Sequence, residues 1–179
     1  MASADALFSP NLVPAAVQES LPDGLIMRPL QRDDYKRGHL EVLKDLAHVG
    51  DITESEWIDR FDWMVNANGS YFILVIVDDS QERGRIVGTG TLIVEKKFLF
   101  KLGTQGHVED VGIIKALQGK RLGTKMIEAL DHIASQLGCY KTILDCSGTK
   151  EHFYVKCGYE KAGTEMHHYY DSEAQKYRV

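Results

Sequence analysis

An α/β fold with a mixed, mostly antiparallel central sheet and helices on both faces is the architecture this sequence predicts, and three observations point to it. Two runs rich in β-branched and aromatic residues, "SYFILVIVD" and "GRIVGTGTLIVEKK", flank the polar "DSQERG", the pattern of an antiparallel hairpin. The stretch "VEDVGIIKALQGKRLGTKMIEAL" at 108–130 opens like a strand, passes a loop holding two glycines and continues at helical spacing. Along the whole chain the order is strand, two helices, a meander of strands, then strand, helix, strand, helix and strand, which suits a sheet covered by helices.

The elements follow in order. The first twenty residues hold Asp5, Glu19, Pro10 and Pro14, with no basic start and no continuous apolar run, so they are not a secretory signal and predict a flexible arm over 1–20. Residues 21–179 then form one domain. "LIMRPL" at 25–30 is a short strand after the Pro22-Asp23-Gly24 turn, and Leu40, Leu43, Leu46 and Ala47 set a helix over 33–48. Thr53 with Glu56 makes a T-x-x-E capping box, starting a helix that turns Trp57, Ile58, Phe61 and Met64 to the core and ends at Asn68-Gly69. After the hairpin comes the strand "GHVEDVGII". From Gly119 onward, Leu122, Met126, Leu130, Ile133 and Leu137 recur at steps of three and four, a helix packed on a sheet and stopped by Gly138. "CYKTILDC" is a further strand, "TKEHFYVKC" a short helix, and "GYEKAGTEMHHYY" a terminal hairpin or strand pair.

Composition narrows the function. In 179 residues, 21 basic against 26 acidic side chains leave a net charge of −5, without the basic excess that nucleic-acid binding needs. The longest apolar run, "YFILVIV" at 71–77, is too short to span a bilayer and has the length of a buried strand, so a soluble, cytoplasmic protein is expected. Cys139, Cys146 and Cys157 are odd in number and lack CxxC pairing, which predicts small core hydrophobes in a reducing compartment. His167-His168 lacks the carboxylate and spacing of a metal site, and no metal is expected.

The loop "IKALQGKRLG" carries the first chemical signal. A helix beginning there exposes unpaired N–H groups and the positive end of its dipole, while Lys120 and Arg121 add two cations. An anion such as a phosphate is stabilised at such a place, although the same pattern also serves as a plain turn. The strand before it interrupts its apolar run with two carboxylates, Glu109 and Asp110, and "FYVKCGY" brings an aromatic hydroxyl near a second loop.

On these residues the sequence resembles the GNAT superfamily of acyl-CoA-dependent N-acetyltransferases, whose Q/R-x-x-G-x-G/A signature is matched by Gln118 and Gly123, with Arg121 at the middle glycine. "GHVEDV", "QGKRLG", "GCYKTILDC", "FYVKCGYEKAG" and "VGDIT" are more closely similar to the eukaryotic glucosamine-6-phosphate N-acetyltransferase family, over about residues 24–170. The resemblance implies a homodimeric enzyme of UDP-N-acetylglucosamine synthesis. It would transfer acetyl from acetyl-CoA to the amine of D-glucosamine 6-phosphate by direct attack through a tetrahedral intermediate, without metal.

It further implies acetyl-CoA lying along Val111, Gly112 and Ile113, with its pyrophosphate held by backbone N–H groups of Gly119, Lys120, Arg121, Leu122, Gly123 and Thr124. Arg121 suits the glycine position if its φ is ordinary helical, since only a positive φ demands glycine. By the same resemblance Tyr154 supports the departing thiolate, and Asp145 approaches the amine or the cofactor, though a strand-end Asp also caps turns. Full proton transfer from a tyrosine near pKa 10 to a thiolate near 8.5 is uphill by about 2 kcal/mol, so a hydrogen bond is the expected contribution. Glu109 and Asp110 orient amine and sugar hydroxyls, yet neighbours on a regular strand face apart, so they share one substrate only on a bulged strand or if one acts through its backbone. Lys97, Tyr140 and Lys141 meet the sugar phosphate, some of them from a second subunit.

Ala47 and His48, Phe100, Lys150 and Tyr169 depart from the family's usual residues, mostly on the acceptor side. A lost hydrogen-bond partner shifts acceptor preference by tenfold or more, about 1 to 3 kcal/mol. Two other readings therefore stand beside the enzyme: a GNAT with a different amine acceptor, and a non-catalytic acetyl-CoA or sugar-binding module.

Overall fold

A computed structural model describes residues 5–80 and 84–177. Its contacts divide the chain into two compact units, the first running to Leu144 and the second beginning at Asp145. The first holds a five-stranded sheet in the order β1 (Leu25–Pro29), β2 (Tyr71–Asp78), β3 (Arg85–Lys96), β4 (Thr104–Ile113) and β5 (Cys139–Ile143). Neighbours are antiparallel except for the parallel β4–β5 pair, as the sequence predicts. Among the described residues no helix is long and apolar enough to cross a membrane.

The hairpin strand β2 is buried from Phe72 to Val77 because both of its faces are covered. Ile73, Val75 and Val77 pack with Val42, Trp57 and Phe61 from α2 (His39–Lys44) and α3 (Glu54–Val65), the Trp57 and Phe61 rings stacked at 5.6 Å. Leu74 points the other way and pairs across the ladder with Gly90. That glycine lets α5 (Leu122–Gln136) approach: a Cβ there would stand 2.7 Å from Met126 Cγ. Each buried aliphatic side chain contributes about 1.5 to 3 kcal/mol. α3 starts where the capping box predicts, with Thr53 Oγ1 accepting from Glu56 N and the Glu56 carboxylate accepting from Thr53 N.

Four expectations change. The helix placed at 33–48 is a 3-10 turn at Asp34–Arg37 followed by the short α2, broken by Gly38 at φ 86°. Its buried face is His39 and Val42, not the Leu40, Leu43 and Leu46 stripe, because the break resets the phase. The break is anchored by fully buried Asp34, whose carboxylate accepts two 2.7 Å bonds from Arg28 and one from Gln31 N.

The expected flexible arm is packed over residues 5–20, its residues 1–4 lying outside those described. Leu7 N donates to Leu30 O, Ala6 bridges to Gln31, and Gln18, in α1 (Ala15–Glu19), bonds Met27 N and Leu25 O along the open edge of β1. Leu7 and Val17 bury themselves in doing so. An edge strand has unpaired N–H and C=O groups, and the arm supplies their partners.

The terminal strand pair does not form. After α6 (Glu151–Lys156), residues 158–170 make no ladder and are mostly exposed, with Glu160, Lys161 and Glu165 leaving no continuous apolar face to bury. Two short helical turns complete the elements, α4 (Leu99–Leu102) and α7 (Ser172–Gln175). None of the cysteines is in the core: Cys139 and Cys157 are half-buried and Cys146 is exposed, and none forms a disulfide.

Candidate active site

One irregularity of β4 organises the site. Glu109 lies opposite Thr91 and Gly112 opposite Thr89, so Asp110 and Val111 together face the single residue Gly90. Two residues against one is a β-bulge, and Asp110 accommodates it with φ at 52°, a left-handed conformation that costs a non-glycine residue about 1 kcal/mol. The bulge meets the condition for joint action: both carboxylates line one cavity of about 550 Å³, floored by Ile73, Thr91 and Ile93 and covered by Trp57, Arg60 and Met64 of α3. The Asp110 carboxyl opens on that cavity, yet the surrounding protein desolvates it and raises its pKa. His107 Nδ1 stands 3.5 Å from Glu109 Oε1, two residues away on the same face of the strand.

β4 also loses a partner here. Parallel pairing with β5 ends at His107 and Ile143, while β4 continues six residues further to Ile113. Ile114 N donates to Val87 O on β3, so by the antiparallel alternation Ile113 turns its own peptide groups toward the side β5 has left. Its carbonyl accepts there from Gln118 Nε2 at 3.0 Å. Val111, two residues back, is directed the same way. Gly112 is buried beneath Leu46, whose Cδ1 would stand 3.0 Å from an added Cβ, so the segment after α2 lies directly on the bulge.

The glycine loop follows. A 3-10 turn at Lys115–Leu117 leads to Gly119 at φ 82° and Arg121 at φ 61°, the residue before α5. Arg121 therefore does not have the ordinary helical φ expected of it; the turn holds it left-handed where the family signature has glycine. No side chain caps α5, and its first bond is Lys125 N to Arg121 O, leaving the N–H groups of Leu122, Gly123 and Thr124 without intrahelical partners. Leu122 is buried in the core, so only its backbone can reach a ligand. Lys120 and Arg121 are exposed, and among the described residues neither is ion-paired.

The unit beginning at Asp145 carries the aromatic hydroxyl. Tyr154 sits on α6 with its ring against Phe153 at 4.9 Å and Tyr159 at 6.2 Å. Burial, then the thiols of Cys146 and Cys157, raise its pKa, so the hydroxyl keeps its proton at neutral pH. Asp145 is exposed. Lys150 occupies the N-cap of α6, and its side chain offers no acceptor to the first turn.

Not all expected residues converge. Lys141 pairs in register with Gln105, and Tyr140 donates its hydroxyl to Gln105 Oε1 at 3.0 Å. Five residues of strand separate Gln105 from Asp110, about 17 Å. Lys97 shares the Lys141 end, donating its backbone N–H to Gly103 O, and its ammonium is ion-paired with Glu95. Phe100 packs on Tyr140 at 4.4 Å with φ 51°. Within one chain these side chains do not line the cavity of Glu109 and Asp110.

Two residues absent from the sequence reading do line it. His39 is buried, accepting from Trp57 Nε1 at Nδ1 (3.3 Å) with Nε2 3.4 Å from Thr89 Oγ1, and burial lowers its pKa to about 4. Trp57 donates to Nδ1, so the neutral ring carries its proton on Nε2 and reaches Thr89, the partner of Gly112 beside the bulge. Arg60 projects from α3 with its guanidinium carbon 5.9 Å from the Trp63 ring centroid. Helical spacing marks the faces of α2 and α3 but carries no sign that these two polar groups adjoin a cavity.

The sequence pattern of the acetyltransferase (GNAT) family matches residues 31–159. The chain belongs to this family. Within the GNAT family it is 41% identical over 144 residues to glucosamine 6-phosphate N-acetyltransferase 1 of Dictyostelium discoideum, covering 80% of this chain and 90% of that protein. It is 40% identical to glucosamine 6-phosphate N-acetyltransferase of Candida albicans, covering 82% and 96%. The crystal structure of glucosamine-6-phosphate N-acetyltransferase from Arabidopsis thaliana superposes with a TM-score of 0.79 at 37% identity, over 82% of this chain and 99% of that one. The fold is accordingly the GNAT fold, and the chain is an acyl-CoA-dependent N-acetyltransferase.

Proposed function

We propose that this chain transfers the acetyl group of acetyl-CoA to the amine of D-glucosamine 6-phosphate, giving N-acetyl-D-glucosamine 6-phosphate and coenzyme A, in the synthesis of UDP-N-acetylglucosamine. One observation carries the reading: the bulge at Asp110 turns two adjacent carboxylates into one cavity at the point where β4 parts from β5. The relatives' names supply the acceptor.

Each need of acyl transfer has a group in this chain. The N–H groups of Val111 and Ile113 face the gap left by β5 and suit the oxygen of a thioester carbonyl as it gains charge. The first-turn donors of α5 from Gly119 to Thr124, with Lys120 and Arg121, suit a pyrophosphate; the donor set fits that group without metal. Glu109 accepts hydrogen bonds from the amine and draws off its proton as the C–N bond forms, while Asp110 and Asp145 orient the acceptor. When the C–S bond breaks, the electron pair stays on sulfur and Tyr154 supports it by hydrogen bond. Its raised pKa makes outright proton donation harder still.

Residues 21–179 act as one domain in this reading, and the working enzyme is a cytoplasmic homodimer. Phe98, Leu99, Phe100 and Leu102 are all exposed around α4, an apolar surface that suits a second copy. A second copy would also let Lys97, Tyr140 and Lys141 join a substrate site from which their own β4 separates them. Purified protein should release free thiol from acetyl-CoA at a rate that depends on glucosamine 6-phosphate. Thiol release with other amines and none with this sugar would overturn the acceptor.

A further inference from the structure

Resting on the reading of this cavity as the acceptor site, we infer that His39 is a positioning residue for acetyl transfer, tying the helix that covers the site to the strand beneath it. Both of its ring nitrogens are used. Nδ1 accepts from Trp57 Nε1 at 3.3 Å, and Nε2 stands 3.4 Å from Thr89 Oγ1. An indole N–H can only donate, so Nδ1 carries no proton and the neutral ring carries it on Nε2. The Thr89 hydroxyl gives its own hydrogen to Leu74 O at 3.4 Å, which leaves its oxygen to accept from His39. The three bonds run in one direction, from α3 through α2 to β3 and on to β2.

Both ends of this chain meet the site. Trp57 and His39 line the cavity of Glu109 and Asp110. Thr89 is fully buried and pairs with Gly112, while Thr91, two residues on and on the same face of β3, pairs with Glu109 and lines the cavity. The two threonines bracket the bulge from the neighbouring strand. α2 is fixed over it twice: His39 at its start is bonded to Thr89, and Leu46 beyond its end lies on Gly112. Apolar packing is non-directional, whereas a hydrogen bond at each ring nitrogen fixes the height of Trp57 above the strand. A phenylalanine in place of His39 would fill a similar space and fix neither partner. With the carboxylates on the floor and Trp57 in the cover, that height sets the distance at which an amine meets Glu109. Reaction rates are steep in such distances, since a misplacement of about 1 Å costs about 10²-fold.

The test measures kcat and KM for glucosamine 6-phosphate and for acetyl-CoA by thiol release, each enzyme scaled to its folded fraction by circular dichroism. The enzymes are wild type, His39→Phe, His39→Gln, Thr89→Val, Thr89→Ser and the double variant His39→Phe with Thr89→Val. His39→Phe and Thr89→Val should each lower kcat/KM for the sugar roughly 10- to 100-fold and leave the KM of acetyl-CoA unchanged. The double variant should lose no more than the worse single one, because either change breaks the same chain. His39→Gln sets an amide N–H near the position of Nε2 and should recover part of the loss, and Thr89→Ser, which keeps the hydroxyl, most of it. A purely structural role would lower the unfolding midpoint and leave kcat/KM of the folded enzyme intact. That result in either single variant, or losses that multiply in the double variant, overturns the inference. If His39→Phe does not fold, Thr89→Val against Thr89→Ser decides. A wild-type enzyme that releases thiol only with another amine overturns the acceptor, and the same variants are then compared on that amine.

Discussion

The two halves of β4 teach different lessons from one strand. From Thr104 to His107 it runs between β3 and β5, paired on both sides with one register shift where β5 passes Tyr140, and every residue but His107 is buried. From Val108 to Ile113 it keeps β3 alone, bulges at Asp110 and exposes Glu109 and Asp110. Pairing on both sides takes up the backbone groups of a strand and leaves few to offer a substrate. Losing one partner frees donors and re-aims side chains, and the cost of a left-handed Asp110 is met by the packing around it.

The largest expected effect separates chemistry from scaffold in the irregular half. Glu109→Gln should lower kcat about 10²- to 10⁴-fold while moving stability by no more than about 0.5 kcal/mol, read by thiol release and by urea unfolding. Comparable activity in the variant would remove Glu109 from proton transfer.

Next in size is the support under the bulge. The folded pKa of His39, about 4, lies below its unfolded value near 6.5, so in that window the unfolded chain binds more protons. Its contribution is complete above pH 6.5 and falls by roughly 3 kcal/mol as the pH drops to 4. Protonation also turns Nδ1 into a donor facing the Trp57 N–H. Urea midpoints measured from pH 7 to 4 should fall less steeply in His39→Phe than in wild type, and equal slopes would show that another group dominates.

The half paired on both sides should respond in stability alone. A Cβ on Gly106 would stand 2.8 Å from Leu92 Cδ1 and 2.9 Å from Thr142 Cγ2. Gly106→Ala should cost about 1 to 3 kcal/mol and leave kcat of the folded enzyme near wild type. A kcat loss as large as that of Glu109→Gln would mean that the two halves are mechanically coupled.

The smallest effect concerns the loop. Arg121→Gly relieves the left-handed strain but adds chain entropy to the unfolded state, so stability should change by less than about 1 kcal/mol. Removing the cation should raise the KM of acetyl-CoA about two- to fivefold. An unchanged KM would leave pyrophosphate binding to the backbone donors and Lys120.

Signals confined to neighbouring residues were legible. Thr53 and Glu56 start α3 as their spacing requires, the β2–β3 pair follows from two apolar runs, and the loop before α5 is visible in Gln118, Gly119 and Gly123. Glu109 and Asp110 could be singled out as chemistry, but not their orientation, because the bulge depends on how β3 pairs across Gly90. The fate of the N-terminal arm was hidden for the same reason: Leu7 and Gln18 find their partners on β1 only when the sheet exists. His39 and Arg60 looked like ordinary helix residues until two helices closed over one cavity.

What the sequence by itself determined was the order and kind of the elements, since hydrophobic period and capping are interactions over three or four residues. Only the tertiary structure decided where β5 leaves β4, which backbone groups face that gap and which charges share a cavity. Those properties arise from pairings between residues tens of positions apart, whose partners no local pattern names.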